Sequence, residues 1–153
     1  RVTIITNGGG SGVLAADECA RRGLELSPLP EESRMRLRSV FPSFYTVANP
    51  IDLTGQVRID DYREALFALR DAYDGFLVIA LTGVSGVTLG LANYLREFKE
   101  KFGKPIVVHI AQGGVAPRLI RLVEKAGIPV YRSPERAVRG LAALLLNRGG
   151  THG

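Results

Sequence analysis

Val2-Thr3-Ile4-Ile5-Thr6-Asn7-Gly8-Gly9-Gly10-Ser11-Gly12-Val13-Leu14-Ala15-Ala16 is the stretch whose reading decides the fold. Val2 to Thr6 is a short β-branched run of the kind that forms a buried strand. Four glycines within the next positions interrupt any regular pattern, and Val13 to Arg22 then reads as a helix stopped by Gly23. A buried strand, a glycine loop and a helix in that order open an α/β unit.

The same alternation continues outward. Leu24 to Leu26 reads as a second, short strand; Pro28 and Pro30 break the chain, and a helix follows over about Glu31 to Val40. Phe41 to Asp52 is irregular, with room for one short strand. From Asp60, Tyr62, Leu66, Leu69 and Tyr73 share one helical face, and Gly75 ends the helix. Phe76 to Leu81 is continuously apolar, as a central strand of a parallel sheet should be. Leu91, Leu95, Phe98 and Phe102 mark the next helix, which Gly103 stops. Pro105 to Ile110 is the next strand, and Val115, Leu119, Leu122 and Val123 form the next helical stripe, stopped by Gly127. Ile128 to Tyr131 is the last strand, and Ser133-Pro134-Glu135 reads as a cap opening a final helix to about Asn147.

Five main strands between helices predict a three-layered, flavodoxin-like doubly wound parallel sheet of order 2-1-3-4-5. In that order the loops 7–12, 82–86 and 111–114 face one another at the carboxyl ends of the strands, where ligands bind. Residues 1–148 read as one domain and 149–153 as a flexible tail.

Composition narrows the class. With 153 residues, 46% hydrophobic and 23% charged, the chain can bury a core, which excludes disorder as its main state. No run of eighteen apolar residues occurs, so no spanning helix is expected, nor is a signal peptide. One cysteine permits no internal disulfide and, with two histidines, leaves too few soft ligands for structural zinc. A reducing, cytoplasmic compartment is expected. The net charge of +5 includes one dense basic run, Arg34, Arg36 and Arg38, alternating with Met35 and Leu37. That pattern reads as a solvated face, and neither nucleic acid nor membrane is expected as a partner. The chain enters its first strand directly at Arg1, which fits a domain of a longer polypeptide.

Asn7 to Gly12 is the main candidate site. Glycines between a strand and a helix bare backbone N–H groups at the positive end of the helix dipole, which suits phosphate. Gly10-Ser11-Gly12-Val13-Leu14-Ala15 also fits the dinucleotide pattern G-x-G-x-x-A, with Glu25 placed to hold a ribose. Alternatively the glycines serve only a tight turn. No lysine follows them, which excludes a P-loop. Asn49-Pro50-Ile51-Asp52-Leu53-Thr54-Gly55 brings an amide, a carboxylate and a hydroxyl together, as ordinary turn chemistry also does. His109 lies in a strand without a sequence partner, and Cys19 reads as a small buried hydrophobe. No nucleophile and base set is visible.

Three segments together point further: Arg1 to Asp17, Asn49-Pro50-Ile51-Asp52-Leu53, and Gly127-Ile128-Pro129-Val130-Tyr131-Arg132-Ser133-Pro134-Glu135-Arg136-Ala137. In this order they resemble the C-terminal ligase-type domain of the NDP-forming acyl-CoA synthetases, a group that includes the ADP-forming acetate–CoA ligases and is related to succinyl-CoA synthetase. The resemblance implies a reversible conversion of acyl-CoA, phosphate and ADP into carboxylic acid, CoA and ATP through a phosphohistidine on a neighbouring ligase domain. It implies CoA on a Rossmann-type domain, and nucleotide with Mg on an ATP-grasp domain. The present domain would bind no cofactor or metal tightly, hold no catalytic side chain and be inactive alone. Its expected phosphate-facing residues are Asn7, Gly8, Gly9, Gly10, Ser11 and Gly12, with Asn49, Asp52, Gly113 and Gly114 as a neighbouring wall. Ser11 stands where relatives often carry proline. Neither His109 nor His152 lies in a Ser-His-Thr-Gly loop, so neither takes the phosphohistidine role. Residues 111–117 keep the glycine pair but lack the charged residues that often follow it. Two other readings stay open, a regulatory synthetase-like module of a protein acetyltransferase and a free-standing Rossmann-like nucleotide-binding domain.

Overall fold

A computed structural model describes residues 1–111 and 113–150. The elements follow as β1 (Val2–Thr6), α1 (Gly9–Arg21), α2 (Glu31–Val40), β2 (Ile51–Asp52), α3 (Ile59–Ala68), β3 (Gly75–Leu81), α4 (Gly90–Phe102), β4 (Ile106–Ala111), α5 (Ala116–Lys125), β5 (Val130–Tyr131) and α6 (Pro134–Gly150). All strand pairs are parallel, and the order is β2-β1-β3-β4-β5, as the sequence predicts.

Alternation along the central strands builds two apolar layers. Phe76, Val78 and Ala80 join one cluster with Leu66, Leu91, Leu95, Phe98, Leu119 and Val123 from α3, α4 and α5. Leu77 and Ile79 face the other way, onto Ala15 and Cys19 of α1 and Val138 and Leu141 of α6. Phe98 is fully buried and meets Phe67, Phe76 and Phe102 edge to face. Each such side chain contributes about 1.5–3 kcal/mol by burial. Gly103 ends α4 in the left-handed conformation, φ 61°, which a residue with a Cβ resists. Ser133 caps α6 through its Oγ, 3.1 Å from the Arg136 N–H.

Three sequence expectations are corrected. The second strand is Ile51–Asp52, not Leu24–Leu26; Glu25 contributes one carbonyl to the Val2 N–H at 2.9 Å, and the chain then leaves the sheet. Asn49 completes the edge instead. Its Oδ1 accepts the Ile4 N–H at 3.2 Å, and its Nδ2 donates to the Val2 carbonyl at 3.0 Å, so the carboxamide does what a neighbouring peptide unit would do. The first helix begins at Gly9, four residues before Val13, because its opening turn is built from the glycines themselves. The last helix runs to Gly150, past the end expected at about Asn147; residues 151–153, read as the end of a flexible tail, lie outside the described residues.

Candidate anion site at the head of the first helix

β1 carries the chain to the carboxyl edge of the sheet, where Thr6 and Asn7 fix the start of α1. The Thr6 hydroxyl donates to the Gly8 carbonyl and accepts from the Gly8 N–H, both at 3.0 Å. Asn7 is 5% exposed and spans from β1 to β3: its Nδ2 donates to the Leu81 carbonyl at 2.9 Å, and its Oδ1 accepts the Leu81 N–H at 2.8 Å. The Gly12 N–H closes the first helical turn onto the Gly8 carbonyl at 3.1 Å.

Three donors remain. The N–H groups of Gly9, Gly10 and Ser11 precede any intrahelical acceptor and have no partner among the described residues. Gly9 and Gly10 are exposed, and a Cβ built on Gly10 would meet nothing within 4 Å. Behind these amides stand 13 helical residues with aligned dipoles, and Arg21 complements the far end. An anion placed here accepts several hydrogen bonds at once.

The wall is more divided than the sequence implies. The Asp52 carboxylate approaches α1; a Cβ on Gly9 would lie 3.1 Å from Asp52 Oδ2. Its Oδ1 accepts the Thr54 N–H at 2.8 Å, and Thr54 turns through φ 63°, unusual for a residue with a branched side chain. Asn49 is spent on the fold: besides Ile4 and Val2, its Oδ1 accepts from the Thr3 hydroxyl at 3.1 Å and its Nδ2 donates to the Ser27 carbonyl at 2.9 Å. Gly113 and Gly114 take φ 41° and 55°, beside Thr82. The Thr82 hydroxyl lies 3.1 Å from the Ala111 carbonyl and 3.0 Å from that of Gly113. Asn7 on one side and Ala111, Gly113 and Gly114 on the other therefore flank the Leu81–Thr82 end of β3. A shallow concavity of about 630 Å³ lined by Thr82, Val84, Val87, Leu89 and Val115 opens beside them. Thr6, Leu81 and Thr82 were not singled out by the sequence, since their roles depend on partners distant in the chain.

The remaining candidates stay outside the site. His109 is 4% exposed within β4, and its Nδ1 lies 2.9 Å from the Tyr131 carbonyl, to which that ring nitrogen donates because a carbonyl only accepts. Burial raises the Cys19 thiol to about 11, so it is not a nucleophile at neutral pH. Glu25 is exposed and belongs to no strand, which removes the geometry a ribose contact needs. Among the described residues there is no group of three or more His, Cys, Asp or Glu side chains that could hold a metal, and no helix long and apolar enough to cross a membrane.

Residues 2–131 match the model of the Ligase-CoA domain. The chain belongs to that family. This Ligase-CoA domain is 36% identical over 153 residues to the alpha subunit of acetate–CoA ligase (ADP-forming) II of Pyrococcus furiosus, covering 95% of the chain and 33% of that protein. It is 35% identical to the alpha subunit of the corresponding ligase I, covering 94% and 32%. Among solved structures, the dinucleotide-forming acetyl-coenzyme A synthetase 1 of Ca. Korarchaeum cryptofilum in complex with phosphate and ADP superposes with a TM-score of 0.85. It shares 30% identity over 95% of this chain and 32% of that one. The chain spans about a third of the length of these relatives.

Proposed function

We propose that this domain is one part of an ADP-forming acid–CoA ligase, which interconverts acyl-CoA, ADP and phosphate with carboxylic acid, CoA and ATP. Its own task is to receive a phosphoryl group at the head of α1. The observation that carries this reading is the set of three unpartnered N–H groups at Gly9, Gly10 and Ser11, held in place by Thr6 and Asn7. Preorganised donors of this kind act on charge as it develops, without reorganising at the moment of transfer.

The Gly8 and Gly12 amides and the Asn7 side chain position the turn rather than touch the anion, since their hydrogen bonds are made within the domain. Asp52 borders the same helix end and opposes a free dianion. The site therefore works when other domains of the enzyme present the phosphoryl group, carried on a histidine that this chain does not supply. CoA, and the nucleotide with its Mg, are assigned to a Rossmann-type domain and an ATP-grasp domain of that enzyme. Its place is the cytoplasm.

Gly10→Val in the complete ligase tests this. Open space at Gly10 predicts an unchanged thermal melt, while the branched side chain screens the amides. Histidine phosphorylation from labelled ATP should fall by about 100-fold, the usual consequence of losing one such donor. Undiminished phosphorylation with the fold intact overturns the assignment.

A further inference from the structure

The excess charge of the chain is concentrated in one place. Residues 116–139 carry six basic and two acidic side chains, +4 of the total +5. Elsewhere most helical cations are paired: Arg21 and Arg22 with Glu18, Arg34 with Glu31, Arg58 with Asp61, and Lys101 with Glu97, while Arg38, Arg96 and Lys99 stand singly without an ion pair among the described residues. Of the six cations in 116–139, Arg139 reaches Glu18 at 3.9 Å, and Arg118, Arg121, Lys125, Arg132 and Arg136 have no ion-pair partner among the described residues.

These five lie on consecutive elements at the β5 end of the sheet, with α5 on one face and α6 on the other. Arg118, Arg121 and Lys125 fall at i, i+3 and i+7 on the outer face of α5, with Leu122, 39% exposed, along their flank. Arg132 follows directly on β5, which ends the sheet, and Arg136 lies in the first turn of α6. Two acids offset them in part: Glu124, exposed on α5, and Glu135, half-buried in the first turn of α6. Three strand spacings of about 4.8 Å separate β1 from β5, so this band lies about 14 Å from the strand that leads into α1.

We infer that the β5 edge, with the outer face of α5, is a docking surface for an acidic protein surface on another domain or subunit of the same ligase. This rests on the proposal that the domain works within a larger ligase, but not on the role given to α1. Charge complementarity sets the chemistry of the partner, because five unpaired cations, three of them beside an exposed leucine, call for carboxylates next to an apolar contact. A nucleic acid is disfavoured: bases need exposed rings to stack on, and the nearest aromatic, Tyr131, lays its ring over Gly140, where a Cβ would come within 2.1 Å of its hydroxyl oxygen.

The test is zero-length crosslinking of the complete ligase with a water-soluble carbodiimide, which joins an amine to a carboxylate in direct contact. Peptide mass spectrometry should find Lys125 joined to an Asp or Glu outside residues 1–153. Arg118→Glu with Arg121→Glu, both exposed and expected to leave the melt unchanged, should lower that yield at least tenfold, as should 0.5 M salt. Crosslinks confined to residues 1–153 overturn the inference. So does salt-sensitive binding of a DNA oligonucleotide that depends on Arg118 and Arg121 while no such crosslink forms. The Gly10→Val result is read separately, because an intact crosslink in a fully active Gly10→Val enzyme keeps the docking surface and removes the phosphoryl role.

Discussion

Residues 7–12 and residues 49–54 both pair an asparagine with a hydroxyl beside β1, yet they use their hydrogen-bonding capacity in opposite ways. In 49–54 it is consumed: Asn49 makes four hydrogen bonds to Val2, Thr3, Ile4 and Ser27, and Asp52 holds Thr54. In 7–12 the side chain of Asn7 is equally committed, to Leu81, but the backbone of Gly9 to Ser11 is left open. A conspicuous polar side chain thus marks a scaffold in both places, and the capacity available to a ligand resides in main-chain amides between the glycines.

The sharpest way to break this comparison is Asn49→Ala. It strips the Ile4 N–H and the Val2 carbonyl of their partners at the edge of β1, and each buried group left unpaired costs about 1–3 kcal/mol. We expect a loss of about 3 kcal/mol in urea unfolding. A loss below about 1 kcal/mol would mean that water replaces the carboxamide and that the strand-like role is wrong.

Gly12→Val comes next and separates the glycines from one another. A Cβ on Gly12 would lie 3.0 Å from Thr6 Cγ2 and 3.7 Å from Pro50 Cβ, whereas one on Gly10 meets open space. Overpacking here should cost about 1–3 kcal/mol, against little change in melting for Gly10→Val. Equal melting temperatures for the two variants would erase the distinction between a packed glycine and an open one.

A third test concerns what secures the 49–54 side. Thr46 and Asp52 form an antiparallel bridge, and the adjacent Tyr45 donates to Asp61 Oδ2 at 2.6 Å. Burial first, then this carboxylate, push the Tyr45 hydroxyl from its ordinary 10.0 up to about 12. The folded form holds that proton more tightly than the unfolded chain. The contribution is therefore complete below about pH 10 and disappears as pH rises through about 12. Tyr45→Phe should flatten the alkaline limb of the stability profile in that interval, and an unchanged limb would place the cause at another tyrosine.

The sequence showed one side of this contrast better than the other. Helices α3, α4 and α5 were legible because Leu66, Leu91, Leu95 and Leu119 repeat at helical spacing against a continuous β3, and these periods require no knowledge of the partners. The second strand was misplaced because it is two residues long, and the Asn49 side chain that continues its edge along β1 has no propensity signature. The start of α1 was placed late because glycine disfavours helix, while here it opens one. The glycine run did reveal free amides, but that Gly8 and Gly12 are occupied depends on the Thr6 hydroxyl and the first helical turn.

The smallest expected effect probes the boundary between the two regions. Asp52 belongs to the consumed side by its Oδ1, which accepts from Thr54, and reaches the open side by its Oδ2, near Gly9. Asp52→Asn keeps an acceptor for the Thr54 N–H and removes a negative charge from the head of α1. A charge at a helix end is worth about 0.3–1 kcal/mol at low salt, so phosphate should bind this chain about two- to fivefold more tightly, with amide shifts at Gly9, Gly10 and Ser11. The gain should shrink in high salt, as screening requires. Tighter binding with shifts elsewhere, or none at all, would mean that the carboxylate and the amides do not share one field, and that the two regions are neighbours in space without being coupled.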